Sequence, residues 1–163
     1  MLAEPVVLLL SIIGVAVWLS AIIGFGLIAA PLLHRKLSPN EAGELVSQIL
    51  DRAHLVGWYG ALISLTSIII YSLVVSTGAA EPAFLLWSLP LILASSIWWV
   101  SWKKILPKAN NLRIAINNTN ESEVGFAEAK KLFDDIHKLN VTLWKGCLFL
   151  ILSSIAGLAW LST

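Results

Sequence analysis

The sequence predicts an all-α, polytopic membrane protein: a four-helix transmembrane bundle with an amphipathic cytoplasmic helix before the last span. Three observations predict it. Of 163 residues, 58% are hydrophobic and 13% charged, whereas a soluble domain carries about 25% charged residues. Such a chain has too little charge to cover a water-facing surface, and its mean hydropathy is +0.83. Four apolar stretches exceed the roughly 20 residues that a helix needs to cross a bilayer. They are long and continuous, which selects helices over the short alternating strands of a barrel. Finally, every lysine and arginine but Lys145 lies in or beside two of the connecting segments.

The first span is read from about Pro5 to Leu33, longer than a perpendicular crossing requires, so tilt or an interrupted end is expected. Gly14, Gly24, Gly26 and Pro31 are its candidate bending points. Its start carries Glu4 in place of a basic segment and its apolar run is long, so it reads as a retained helix and not a signal peptide. The second span runs from about Ala53 to Thr77, the third from Ala83 to Leu106 and the fourth from Val141 to Leu161. Loops at 34–52 and 107–140 complete one transmembrane domain covering residues 1–163.

Charge sets the orientation. Arg35, Lys36 and Arg52 fall in the first loop, and Lys103, Lys104, Lys108, Arg113, Lys130, Lys131 and Lys138 lie in or beside the third. The N-terminus, the segment around Gly78 to Pro82 and the final Ser-Thr have none. By the positive-inside rule, both larger loops face the cytoplasm and both termini the opposite side. In the third loop, Asn117-Asn118-Thr119-Asn120 signals a turn, and Asn120 with Glu123 resembles a capping box. Phe126, Lys130, Phe133 and His137 then recur at helical spacing, predicting an amphipathic helix that runs into the fourth span. The glycosylation-like triplets at Asn117, Asn120 and Asn140 lie on the predicted cytoplasmic side and are discounted.

The eight tryptophans and the small residues predict contacts. Indole joins an apolar ring to one N–H donor and suits the bilayer interface. Trp98, Trp99 and Trp102 at one end of the third span, Trp87 near its other end and Trp160 near the end of the fourth are expected as interface anchors. Trp18, in mid-span, is expected to pack. Small residues four apart (Ser20 and Gly24, Gly57 and Ala61, Gly60 and Ser64, Ser153 and Gly157) mark seams where helix backbones can approach closely.

Chemistry-bearing residues are sparse. A net charge of +1 argues against a nucleic-acid partner, which calls for clustered basic surface. Cys147 is the single cysteine, so no intrachain disulfide framework exists; inside a span it behaves as a small hydrophobe. There is no P-loop, dinucleotide fingerprint, Gly-x-Ser-x-Gly or zincin helix, and no catalytic residue is assigned. His34, His54 and His137 sit at cytoplasmic helix ends and are the candidate metal or cofactor ligands, with Asp51, Asp134 and Asp135 nearby. Imidazole suits zinc, copper and iron, but no spacing fixes a ligand set, and no cofactor is named. His54 shares a helix face with Gly57 and Ala61. His137, Asn140, Trp144, Cys147 and Leu148 form a stripe on the last helix, with Lys145 to one side. Asn140 and Lys145 are the candidate polar or transport residues; a lysine so near the interface snorkels readily.

Val17-Trp18-Leu19-Ser20 followed by Phe25-Gly26-Leu27-Ile28-Ala29-Ala30-Pro31 resembles the first helix of the transmembrane protein 205-like family of small four-helix membrane proteins. Ser38-Pro39-Asn40-Glu41-Ala42-Gly43 and Leu45-Val46 fit that family's first loop, and Phe133, His137 and Asn140 loosely match a later pattern. Ser20 stands where the family more often has glycine. The resemblance implies the fold and the membrane location, and it implies no catalytic residue.

Three functions of different classes follow as expectations. The first is a non-catalytic accessory or stabilising subunit of a larger membrane complex, in contact with lipid and with other membrane subunits or copies of itself. The second is a small oligomeric transporter or permeation unit, and the third a haem- or metal-binding redox protein using the three histidines. With no organelle-targeting segment visible, a bacterial inner (plasma) membrane is the expected location.

Overall fold

The computed structural model describes residues 3–75, 82–119 and 125–161. Helix α1 (Ala3–Ile23) passes through a π-helical turn (Gly24–Ala29) into α2 (Ala30–Lys36). Helix α3 (Pro39–Ile70) ends in a second π turn (Tyr71–Val75). Helix α4 (Pro82–Val100) continues through a third (Ser101–Ile105) into α5 (Leu106–Asn118), and α6 (Phe126–Leu161) is unbroken. The result is the all-α, four-helix membrane bundle that the composition predicts, with four helical rods long and apolar enough to cross a bilayer.

Two of the π turns have a visible cause. Proline lacks an N–H, and its ring clashes with the carbonyl four residues earlier. For Pro31 that carbonyl belongs to Leu27, and for Pro107 to Lys103. Both lie inside a π turn, where the wider ring relieves the clash without breaking the rod. Helix α3 begins differently. Ser38 is its N-cap, Pro39 occupies its first turn, and the Glu41 side chain accepts the Ser38 backbone N–H at 3.1 Å, closing a capping box.

The four rods comprise 33, 34, 35 and 35 residues, so each is about 50 Å long against a hydrocarbon layer of about 30 Å. The connections read at 34–52 and 107–140 are accordingly mostly helix. Only Leu37 and Ser38 interrupt the first, and α5 with the start of α6 fills most of the second. Of the turn expected at Asn117–Asn120, Asn117 and Asn118 close α5 and Thr119 follows it, while Asn120, the rest of the Asn120–Glu123 cap and most of the Gly78–Pro82 segment lie outside the described residues. Near the start of α3, Ser47 donates to Asn110 Oδ1 on α5 at 2.6 Å, so the helices stay associated there.

The rods pack as two close pairs, α1 with α3 and α4 with α6, and touch each other less extensively across the middle. Glycines make the pairs. A Cβ on Gly60 would lie 2.6 Å from the Gly14 carbonyl oxygen and 2.7 Å from the Trp18 amide nitrogen, and one on Gly157 would lie 2.5 Å from the Leu86 carbonyl carbon. Backbone cannot yield there, so only glycine fits. In lipid, where apolar burial between helices gains little, such close packing and interhelical hydrogen bonds hold the fold.

Candidate functional site

The junction between the two pairs gathers the buried polar and aromatic groups, and its centre is His54. This residue lies on the inner face of α3 with Ala61 and Gly57, and it is fully buried. Leu50, one turn back, places its carbonyl 2.8 Å from His54 Nδ1. A carbonyl only accepts, so Nδ1 carries a proton. On the other side of the ring, Nε2 is 3.1 Å from Ser101 Oγ, and Ser101 Oγ is 2.6 Å from Asn140 Oδ1 on α6. Ser101 is the first residue of a π turn and is itself fully buried. Three rods thus meet in one chain of side chains, His54–Ser101–Asn140.

Aromatic rings enclose this chain. The His54 ring is 4.8 Å from Trp98 and 5.2 Å from Trp144 between centroids, and Trp98 is 4.8 Å from Trp144. Trp18 meets Trp98 edge-on at 5.9 Å, and Phe25 approaches Trp144 at 5.7 Å. The Trp98 indole N–H donates to the His54 carbonyl at 3.0 Å, and Trp98 lies so close over Gly57 that a Cβ there would sit 2.7 Å from its Cε2 and nearer still to its Cζ2. Toward the other end of the bundle, Trp87 donates to Ser11 Oγ at 3.0 Å, and Tyr71 stacks on Phe84 at 5.6 Å.

Two expected interface anchors are therefore corrected. Trp87 and Trp98 are fully buried within the protein and do not reach lipid, because each indole N–H finds an interhelical acceptor and each ring a neighbouring helix. Trp99 and Trp160 are exposed and Trp102 half-buried. Trp102 donates to Asp51 Oδ1 at 2.8 Å, and the Lys103 ammonium rests 3.6 Å above its ring.

The three histidines do not share a site of the kind a metal needs. His34 and His137 are exposed, His137 stacking on Phe133, while both ring nitrogens of His54 are already engaged. Among the described residues, no group of three or more His, Cys, Asp or Glu side chains is placed to hold a metal ion. On α6, Asn140, Trp144 and Cys147 face inward and Lys145 is exposed; the Cys147 thiol reaches the Ala94 carbonyl at 3.5 Å. Sequence reasoning missed Ser101. One serine among the apolar and aromatic residues of Ile97 to Trp102 was the available signal, and it acquires meaning only once the π turn aims it at His54. Gly14, read as a bending point, is a packing contact.

Chemically, the arrangement is an interhelical clasp with one titratable member. The indole Nε1 atoms of Trp18 and Trp144 are buried near it without a hydrogen-bond partner among the described residues, as is Ser64 Oγ further along α3 against Gly14.

With this geometry in hand, comparison with known proteins gives one match. Residues 13–117 fit the model of a family described as a domain of unknown function, DUF4149. That is well over half of the chain, which belongs to this family. The matched region holds Trp18, His54, Trp98 and Ser101 and stops before α6. No curated protein and no solved structure matches the chain.

Proposed function

For this member of the DUF4149 family, we propose a non-catalytic role as an accessory or stabilising subunit of a larger membrane complex. The observation that supports it is how the side chains are divided. Several polar groups within the membrane-length part of the bundle are turned inward and join helices, as in His54–Ser101–Asn140 and Trp87–Ser11. The outward surface is mostly apolar over that length, with Leu27, Leu73 and Phe149 each at least 70% exposed. The rods then continue about 20 Å past the bilayer as a helical platform carrying Arg52, Lys108, Lys130, Lys131 and Lys138, all exposed. An apolar belt under a charged platform suits lateral contact with other membrane subunits, or self-association, together with a soluble-side docking surface.

In this reading the basic end of the bundle faces the cytoplasm, both termini face outward, and the membrane is a bacterial inner membrane. The likeness to the transmembrane protein 205-like family belongs to the same proposal. Its test is the mass of the intact assembly after gentle extraction from the native membrane, with bound partners retained. A defined heteromeric mass is expected. A partnerless monomer or homo-oligomer contradicts the subunit role and favours permeation through an oligomer.

A further inference from the structure

We propose that His54 is a proton-binding site whose state is passed through Ser101 to the side-chain amide of Asn140, at the half-exposed edge of the bundle. The inference concerns this chain alone and holds whatever the protein assembles with. It follows from what each group in the chain is able to donate. The Leu50 carbonyl fixes one proton on Nδ1 and leaves Nε2 as the variable position.

When Nε2 carries no proton it accepts the Ser101 hydroxyl hydrogen, and Ser101 Oγ in turn accepts an N–H from Asn140. When Nε2 binds a proton it donates to Ser101 Oγ, and the hydroxyl hydrogen swings to Asn140 Oδ1. The second arrangement has the atom order Nε2, Oγ, Oδ1 given above; the first needs only a half-turn of the amide, whose two ends have nearly the same shape. The residues bonded to one another stay the same, and only the amide of Asn140 exchanges its Nδ2 and Oδ1 ends toward Ser101 Oγ. One proton enters from water, none leaves, and every hydrogen bond in the chain reverses.

The consequence appears at the surface. Asn140 is half-buried, so the end of its amide not bound to Ser101 is presented outward at the basic end of the bundle. That end is the carbonyl acceptor when His54 is neutral and the NH2 donor when it is charged. A buried protonation event is thus converted into a reversal of hydrogen-bonding polarity at an accessible position.

The charged side chains on the elements around the ring are exposed, Arg52 on its own helix included. On its own helix the nearest acid is Asp51, one turn away and held by Trp102. From α4 and its π turn, Trp98 and Ser101 face the imidazole; Lys103 and Lys104 are exposed. From α6, Asn140 and Trp144 face it, while Asp134, Asp135, His137 and Lys145 are exposed and Cys147 lies a turn beyond Trp144. From the first rod, Trp18 approaches through Trp98; Glu4, His34, Arg35 and Lys36 are exposed near the rod's two ends. No fixed positive charge therefore abuts the ring, whose aromatic neighbours are Trp98 at 4.8 Å and Trp144 at 5.2 Å between centroids.

The test uses the full chain in lipid nanodiscs with nitrogen-15 in histidine rings and asparagine amides. Resonances are assigned with His34→Gln, His137→Gln and Asn140→Gln variants, and spectra are followed as pH is lowered. The expected result is a neutral His54 bearing its proton on Nδ1, a reversible titration at Nε2, and an Asn140 amide shift that tracks it. In Ser101→Ala the amide no longer follows His54, and in Ser101→Thr, which keeps the hydroxyl, it does. A neutral tautomer with the proton on Nε2, a ring that stays neutral until the protein unfolds, or an Asn140 amide indifferent to the titration overturns the proposal. An amide that still tracks His54 in Ser101→Ala overturns the route through Ser101.

Discussion

The seams within each helix pair and the junction between the pairs are built on opposite principles. Within α1–α3 and α4–α6, side chains are removed so that backbones touch: Gly14 faces Gly60, and Gly157 lies on the backbone of Leu86 and Trp87. Between the pairs, large side chains are inserted and bonded: Trp18 to Trp98, His54 to both Trp98 and Trp144, Phe25 to Trp144, Trp58 to Trp99, and Tyr71 to Phe84 and Trp87. Among the described ring contacts joining distant parts of the chain, only Trp98–Trp144 lies inside a pair. Close backbone packing tolerates no enlargement but has no polar atom to lose. A junction of long side chains adapts in shape and depends on particular hydrogen bonds. The pairs are thus the rigid units, and the junction is where chemistry is concentrated.

This contrast is best broken at a glycine. Gly60→Val pushes a side chain into the Gly14 carbonyl and the Trp18 amide, neither of which can move alone, and is expected to cost about 3 kcal/mol or more. Unfolding in bicelles measures it, and a loss below about 1 kcal/mol would show that the pairs slide apart easily. His54→Ala comes next. It removes the ring from the junction and takes from Ser101 its partner on α3, and it is expected to cost about 2 kcal/mol, with the α3–α6 distance across the junction, read by paired spin labels, becoming broader. Trp98→Phe keeps most of the ring and deletes the N–H bound to the His54 carbonyl; about 1 kcal/mol is expected, the scale of a single interhelical hydrogen bond in lipid. The smallest effect is at Gly146, where an added Cβ meets nothing within 4 Å. Gly146→Ala is expected to be neutral or stabilising by up to about 1 kcal/mol through helix propensity, and a clear loss would reveal a contact on that outer face.

The sequence made the bundle legible because lipid imposes length and apolarity on each span and because charge cannot be hidden in the connections. It also placed His54 on the packing face, since Gly57 and Ala61 lie one and two turns along the same helix. Helical periodicity likewise put Asn140, Trp144 and Cys147 on one stripe. Periodicity failed where the helix itself changes pitch. The π turn at Ser101–Ile105 shifts the phase of the third rod, so neither Ser101 as a partner of His54 nor the helical run on to Asn118 followed from 3.6-residue counting. Composition misplaced Trp87 and Trp98 for a different reason. An indole near a span end satisfies the bilayer interface and a buried interhelical acceptor equally well, and only the tertiary partners, Ser11 Oγ and the His54 carbonyl, decide between them. The three histidines looked equivalent along the chain, yet only His54 faces inward; His34 and His137 are exposed, His137 beside the buried Ile136.

The central claim is that His54 and Ser101 join the two pairs as one bonded unit. A double-mutant cycle in bicelles, with unfolding measured for the wild type, His54→Ala, Ser101→Ala and the double variant, tests it most directly. The account predicts that the double variant loses less than the sum of the single losses, by about 1 kcal/mol. Additivity to within about 0.3–0.5 kcal/mol would contradict it, leaving His54 a packed ring and the pairs held by aromatic contact alone.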